Sequence, residues 1–152
     1  MTSLIKVAHS VGRHFVSLTC VQYSPDGSES YIHLFSGFVV EVEAKWFYIT
    51  AGHILRDIQK AIKAGSRFDI WRLGDQTAGN QFGAAAIPYS FETNQWIVLE
   101  NEESGLDYAA VELGNLYRSQ LEAGGVIPLP NTSWDTQYSE SDDRPADALR
   151  AR

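Results

Sequence analysis

One stretch near the middle of the chain decides the fold: Lys45-Trp46-Phe47-Tyr48-Ile49-Thr50-Ala51-Gly52-His53-Ile54-Leu55. Its first six residues are β-branched or aromatic apart from one lysine, which is the composition of a strand. Isoleucines then recur at positions 54, 58 and 62, a spacing that predicts one apolar face of a short helix, and Gly65 stands where such a helix ends. The pattern therefore predicts a strand that runs directly into a helix, with His53 at the junction.

The residues before this stretch predict its partner strand. From Phe38 to Val42 every second residue is apolar and shares one face, while Val39 and Glu41 fall on the other face. Glu43-Ala44 is a two-residue link between the two strands. The sequence therefore predicts an antiparallel hairpin that ends at the junction with the helix.

Short apolar runs separated by turn residues predict further strands at 15–21, near Tyr31, and at 67–73, 81–88, 95–100 and 107–113. This spacing is typical of a mainly β domain, either a Greek-key barrel or a sandwich.

The two ends of the chain differ from this pattern. Residues 3–11 carry apolar side chains at helical spacing, so an N-terminal segment 1–14 is predicted to be partly helical. Residues 131–152 hold five acids, three arginines and no valine, isoleucine or phenylalanine, which predicts a disordered acidic tail. The folded β domain is therefore predicted to span 15–130.

Composition limits the classes of function. A chain of 152 residues with 44% hydrophobic residues fits one packed domain and not two. A net charge of -7 argues against nucleic acid as a partner, since phosphate binders carry a basic surplus. The N-terminus has no uninterrupted apolar stretch, and no run approaches the roughly 20 apolar residues of a membrane span. We therefore expect a cytoplasmic protein without a signal peptide or a membrane partner.

Metal and redox chemistry find little support in the sequence. His9 and His14 are five residues apart, which does not match the i, i+4 spacing of helical metal pairs, and His33 stands alone in a strand. The single cysteine, Cys20, excludes an intramolecular disulfide and fits a buried small side chain better than a redox centre. We expect no metal and no cofactor. The four tryptophans indicate core positions more than a carbohydrate or peptide platform: Trp46, Trp71, Trp96 and Trp134.

A nucleophilic hydrolase needs a nucleophile, a base and a carboxylate that orients the base. His53 is the candidate base because it lies where a rigid strand ends and a helix begins, a position that holds the imidazole in place. Asp107 is the candidate carboxylate because it opens an otherwise apolar strand, where it can be buried against a histidine. Asp57, one helical turn after His53, and Asp69 are rival partners for the imidazole.

Three motifs in this order resemble the N-terminal barrel of trypsin-like (chymotrypsin-fold) serine peptidases. They are Ser36-Gly37-Phe38-Val39-Val40, residues 49–55 with Thr50-Ala51-Gly52-His53, and residues 106–113 with Asp107. The family carries a G-S/T-G-F-V-like strand, then a strand that ends in T-A-A/G-H, then a D-x-A-V/L-x-x-L strand, and its acid follows its histidine along the chain. The resemblance spans roughly residues 15–115 and departs from the family at Phe35, where a glycine is frequent, and at Tyr108.

The resemblance implies a six-stranded Greek-key barrel with a short helix after His53. It implies a catalytic pair in which His53 is general base and then acid while Asp107 orients it, acting on peptide or protein substrates. The family places its serine nucleophile in G-x-S-G within a second barrel, and no G-x-S tripeptide occurs in this sequence. We therefore expect a truncated or partial serine endopeptidase that is inactive alone and prone to self-association through the exposed barrel face.

Two other hypotheses stay open. One is a non-catalytic single-barrel binding or interaction module, which should fold cooperatively as a monomer without an exposed apolar face. The other is a different small β-barrel with coincidental motifs, which a separation of more than about 6 Å between the His53 and Asp107 side chains would favour.

Overall fold

The computed structural model describes residues 12–74 and 87–131, so the predictions for 1–11, 75–86 and 132–152 lie outside the described residues. The elements in chain order are β1 (Phe15–Tyr23), β2 (Ser30–Val42), β3 (Lys45–Thr50), α1 (Gly52–Lys63), β4 (Arg67–Leu73), β5 (Ile87–Pro88), a 3-10 turn (Thr93–Gln95), β6 (Ile97–Asn101), β7 (Leu106–Leu113), α2 (Asn115–Ala123) and β8 (Leu129–Pro130). The protein is mainly β, as the sequence predicts.

The strands form one sheet in the order β5-β4-β1-β2-β3-β7-β6, with every neighbouring pair in that order antiparallel. An eighth strand, β8, lies parallel to β2 beside Val40 and Glu41. The described pairings therefore give an open order of seven strands plus one. The sequence predicts six strands, but the described residues form eight, so the predicted number of strands is wrong. Closure of the sheet into a barrel stays a prediction.

The hairpin of β2 and β3 forms where the sequence predicts it. Val42 pairs with Lys45, and both residues of the link, Glu43 and Ala44, have positive φ angles of 51° and 64°. Two consecutive positive φ angles are the conformation that matches the twist of a two-residue hairpin. Pairing of β3 with β7 then sets Thr50 opposite Ala109, so the end of β3 lies beside the beginning of β7.

Helix α1 follows β3 after a single residue, as predicted. Leu55 and Ile58 are buried beneath it, and its C-terminal residues are followed by Gly65 at a φ of 97°, the left-handed position that glycine favours. Residues 67–73 are β4 as expected, and 107–113 lie within β7. The expected strand at 95–100 begins two residues later, because residues 93–95 form the 3-10 turn.

The core lies on one face of the sheet, and both helices contribute buried residues to it. On β2, Val39 is completely buried in the core. The opposite face of this strand is more apolar, but its residues Phe38, Val40 and Val42 are only partly buried. The largest fully buried side chains are those of Tyr48, Leu18, Leu55, Leu73 and Leu121, and the core also includes Trp46, Trp71 and Trp96. Helix α2 and strand β8 have no counterpart in the sequence predictions.

Candidate active site

His53 is the second residue of α1, directly after the strand that the hairpin positions. The residue before the helix, Ala51, is extended (φ -75°, ψ 139°) and its side chain cannot accept a hydrogen bond from the helix N-terminus. The first turn also carries no acidic side chain of its own. The N–H groups at this end of α1 therefore need an acceptor from elsewhere.

Asp107, the second residue of β7, supplies that acceptor. Its Oδ1 accepts the backbone N–H of His53 at 2.8 Å, and its Oδ2 lies 2.6 Å from His53 Nδ1. One carboxylate thus caps the helix and orients the imidazole with its two oxygens. The sequence-predicted base and carboxylate lie together although 54 residues separate them.

The hydrogen bond fixes the chemical state of both groups. An ionised carboxylate only accepts hydrogen bonds, so the proton of a neutral His53 lies on Nδ1 and the lone pair lies on Nε2. The bond from the His53 side chain is the main reason that the pKa of the Asp107 carboxyl is lowered, although burial acts in the opposite direction. The His53 backbone N–H and the charges of His53 and Arg56 lower it further. About half of the His53 side chain is exposed to solvent.

Gly52 permits the close approach of the two chain segments. A Cβ at this position would lie 2.8 Å from Asp107 Oδ1, 3.1 Å from the carbonyl oxygen of Tyr108 and 3.2 Å from Glu100 Cγ. Only a residue without a side chain leaves the carboxylate in place. The glycine before the histidine was visible in the sequence, but its role depends on a contact that the sequence does not reveal.

Two interactions hold β3 in place, one with β2 and one with β1. The Thr50 hydroxyl donates a hydrogen bond to the carbonyl of Ser36 at 2.9 Å, and Tyr48 donates one to the carbonyl of Val16 at 3.0 Å. The Tyr48 ring packs where a side chain on Gly37 would be, since a Cβ there would overlap it. The glycine of the first motif thus serves the packing of the strand that carries His53.

An ion pair beside the site escaped the sequence analysis. Arg56 Nη1, one turn along α1 from His53, lies 2.9 Å from Glu100 Oε1 on β6. Glu100 is the cross-strand partner of Asp107 in the β6–β7 register. The charge pattern along the sequence gives no hint of this pair because its members are 44 residues apart.

The rival carboxylates are engaged or placed differently. Asp69 Oδ1 accepts the backbone N–H of Ile70 at 2.8 Å, and no hydrogen bond joins Asp57 to His53 within the described residues. His53 has no serine hydroxyl among its described hydrogen-bond partners. The structure therefore brings together the predicted base His53 and the predicted carboxylate Asp107.

The other candidate residues have local roles. His33 Nε2 lies 2.7 Å from Gln22 Oε1 and its ring stacks on Phe35, while His14 Nδ1 lies 2.5 Å from the carbonyl oxygen of Ile127. Cys20 is buried. No group of three metal-binding side chains occurs among residues 12–74 and 87–131, and His9 lies outside them. Three tryptophans are core residues and form no exposed platform, and the fourth lies outside the described residues: Trp46, Trp71, Trp96 and Trp134.

Comparisons of the chain with models of known protein families, with curated proteins and with solved structures found no match. In the part of the chain that the structure describes, no helix is both long enough and apolar enough to cross a membrane.

Proposed function

We propose that His53 and Asp107 form the acid–base half of a trypsin-like serine endopeptidase site. The observation that carries the proposal is the double hydrogen bond from one carboxylate to both the backbone N–H and Nδ1 of the histidine. In this reaction His53 Nε2 takes the proton of an attacking serine hydroxyl and then gives it to the leaving amine. Asp107 holds the imidazole in the required tautomer and stabilises the imidazolium that forms.

Charge favours this role at neutral pH. The lowered pKa of Asp107 favours the ionised carboxylate, which accepts the hydrogen bond from Nδ1–H throughout the cycle without taking the proton. The Nε2 side of the imidazole is open, since about half of the His53 side chain is exposed. A base that takes a proton from a group on another chain segment requires this access.

The path of the chain supports a closed Greek-key barrel for the β domain. Strands β5 and β6 are the two ends of the sheet order, and nine residue steps separate Pro88 from Ile97. Seven strands laid flat at about 4.8 Å spacing would hold these ends about 29 Å apart. Nine extended steps span roughly 30 Å, and the 3-10 turn within them shortens that to about 26 Å. The connection is therefore about 3 Å shorter than a flat sheet requires, which supports the curled sheet of the proposed barrel.

A series of aromatic contacts links β4 to β3 and also supports a curled sheet. Trp71 on β4 stacks on Phe91 with ring centroids 3.9 Å apart, and Phe91 lies 5.8 Å from Trp96. Trp96 in turn meets Tyr48 on β3 edge-on at 6.0 Å. The segment between β5 and β6 thus contacts both β4 and β3 through Phe91 and Trp96.

The nucleophile in this proposal comes from a second domain, since G-x-S-G is missing from these 152 residues. That domain would also supply the oxyanion-hole donors and the substrate pocket, so the chain alone binds no substrate productively. Apolar side chains next to Asp107 offer a surface for it: Leu106 is 45% exposed and Tyr108 48% exposed. A free-standing binding module should lack such a surface, so these residues favour the partial peptidase over the non-catalytic module. The same surface makes self-association of the isolated chain the expected behaviour.

The first experiment measures the basicity of His53 in the chain itself. The probe is p-nitrophenyl acetate, which a free imidazole nitrogen attacks, and we compare the wild type with His53→Gln and Asp107→Asn at pH 7.5. We expect His53→Gln to remove the largest part of the ester cleavage and Asp107→Asn to lower it. His33→Gln is the control, because its ring is stacked and hydrogen-bonded. Equal rates for wild type and His53→Gln would overturn the proposal.

The second experiment tests whether the adjoining reading frames encode the missing nucleophile. The chain alone should leave a mixture of quenched-fluorescent peptides intact. Joined to the translation of the adjoining reading frames, it should cleave them in a reaction that His53→Ala abolishes. Hydrolysis by the chain alone, or adjoining frames that encode no G-x-S-G-like barrel, would contradict the proposal.

A further inference from the structure

Two carboxylates lie near the start of α1, because the register of β6 and β7 sets Glu100 directly opposite Asp107. Directly opposed residues of an antiparallel pair point to the same face, where like charges destabilise each other. Both side chains also border the first residue of α1: a Cβ on Gly52 would meet Asp107 Oδ1 at 2.8 Å and Glu100 Cγ at 3.2 Å. Either acid could therefore reach the start of the helix that carries His53.

Arg56 forms an ion pair with the second of these carboxylates, Glu100. It lies three residues after His53, so both side chains project from neighbouring positions of α1. Its guanidinium binds Glu100 Oε1 at 2.9 Å, so the second carboxylate is held in an ion pair. We infer that Arg56 is a positioning residue that sequesters Glu100, so that Asp107 is the only carboxylate left to orient His53.

This inference rests on the proposed function and adds two residues to it. Asp107 from β7 is bonded to His53, and Glu100 from β6 is paired with Arg56 of α1. Asp57, four residues after His53 on α1, makes no hydrogen bond to it among the described residues. Arg56 also contributes directly, since its charge lowers the pKa of Asp107. The arginine thus suppresses one acid as a competitor and keeps the other one ionised.

The test is a titration of the His53 ring by NMR in four proteins: wild type, Arg56→Met, Glu100→Gln and the double variant. Arg56→Met frees a negative charge and removes a positive one, so it should raise the pKa of His53 by about half a unit, the size expected between partly exposed charges. The double variant has the wild-type net charge and lacks the competitor, so its titration should return to that of wild type. Lys45→Met breaks a different exposed ion pair, with Glu112 at 3.5 Å, and should leave the titration unchanged.

The double variant distinguishes two roles of Arg56, positioning of the carboxylates and simple support of the fold. If Arg56 only braces the helix, Glu100→Gln will not restore the titration of Arg56→Met, and the inference is wrong. Should Arg56→Met fail to fold, Glu100→Gln alone decides: leaving Arg56 uncompensated should lower the pKa of His53, and no change would refute the inference. A wild type without a hydrogen-bonded Nδ1 proton on His53 would instead refute the proposed function itself.

Discussion

Replacing Gly37 by alanine tests the packing that holds the histidine-bearing strand in place. The new Cβ would overlap the ring carbon Cζ and the hydroxyl of Tyr48 and would lie 2.5 Å from the carbonyl oxygen of Ile49. Tyr48 is completely buried and cannot swing into solvent, and its hydrogen bond to Val16 fixes the ring at its far end. The substitution therefore forces either the ring or the backbone of β3 to move.

The expected destabilisation is about 2 kcal/mol, within a range of about 1–3.5 kcal/mol. Overpacking a buried site costs about 1–3 kcal/mol, and loss of the tyrosine hydrogen bond adds about 1 kcal/mol. The smaller entropy of the unfolded alanine chain returns roughly 0.5–1 kcal/mol. For a domain of this size such a loss lowers the melting temperature by about 5–10 °C.

Urea unfolding followed by tryptophan fluorescence measures this free energy. Gly114→Ala is the control, because nothing lies within 4 Å of its added Cβ, and it should cost under about 1 kcal/mol. In a Tyr48→Leu background the cost of Gly37→Ala should fall without vanishing, since the carbonyl of Ile49 still crowds the methyl group. A Gly37→Ala protein as stable as the wild type would refute the packing argument.

The other predictions concern the site and its surroundings. Gly52→Ala should displace the Asp107 carboxylate and raise its pKa towards the ordinary value; an unchanged carbonyl-carbon titration in NMR would contradict the close contact. Because the folded-state pKa of Asp107 is lowered, its contribution to stability is complete well above pH 4 and is lost as the pH falls through the folded-state value. Wild type should therefore lose more unfolding free energy than Asp107→Asn on acidification, and parallel curves would refute this. Thr50→Val removes a buried hydrogen bond to a carbonyl of β2 and should cost about 1 kcal/mol in urea unfolding, while an effect near zero would mean that the bond is dispensable. Burial raises the pKa of the Cys20 thiol to about 12, so Ellman's reagent should react with it only after unfolding; rapid reaction at pH 8 in the native protein would contradict its placement.

The local elements around His53 could be predicted because each has a local signal. The alternation before Val42 and the aromatic run after it predict two strands, and isoleucines at helical spacing predict α1. The pairing of His53 with Asp107 followed from a resemblance to a family pattern, not from any local rule. Its geometry depends on the β3–β7 register, which forms between residues about 60 positions apart.

The features that escaped prediction depend on tertiary contacts. Helix α2 buries only one residue, Leu121, and has no side-chain cap at its N-terminus, so its sequence lacks both an apolar stripe and a start signal. Strand β8 is two residues long and exists because β2 offers it a partner. The buried face of β2 could not be predicted because it is the less apolar of the two faces. On that face Val39 lies in the core, and Glu41 accepts a hydrogen bond from Trp46.

The central claim is that Asp107 holds the neutral imidazole of His53 with its proton on Nδ1 and its lone pair on Nε2. Long-range 1H–15N NMR correlation of the histidine rings, recorded above the pH at which His53 titrates, reports this tautomer directly. The account predicts a protonated Nδ1 with a far-downfield proton signal in the wild type, and loss of that signal in Asp107→Asn. A wild-type His53 protonated on Nε2, with a ring spectrum that Asp107→Asn leaves unchanged, would contradict it.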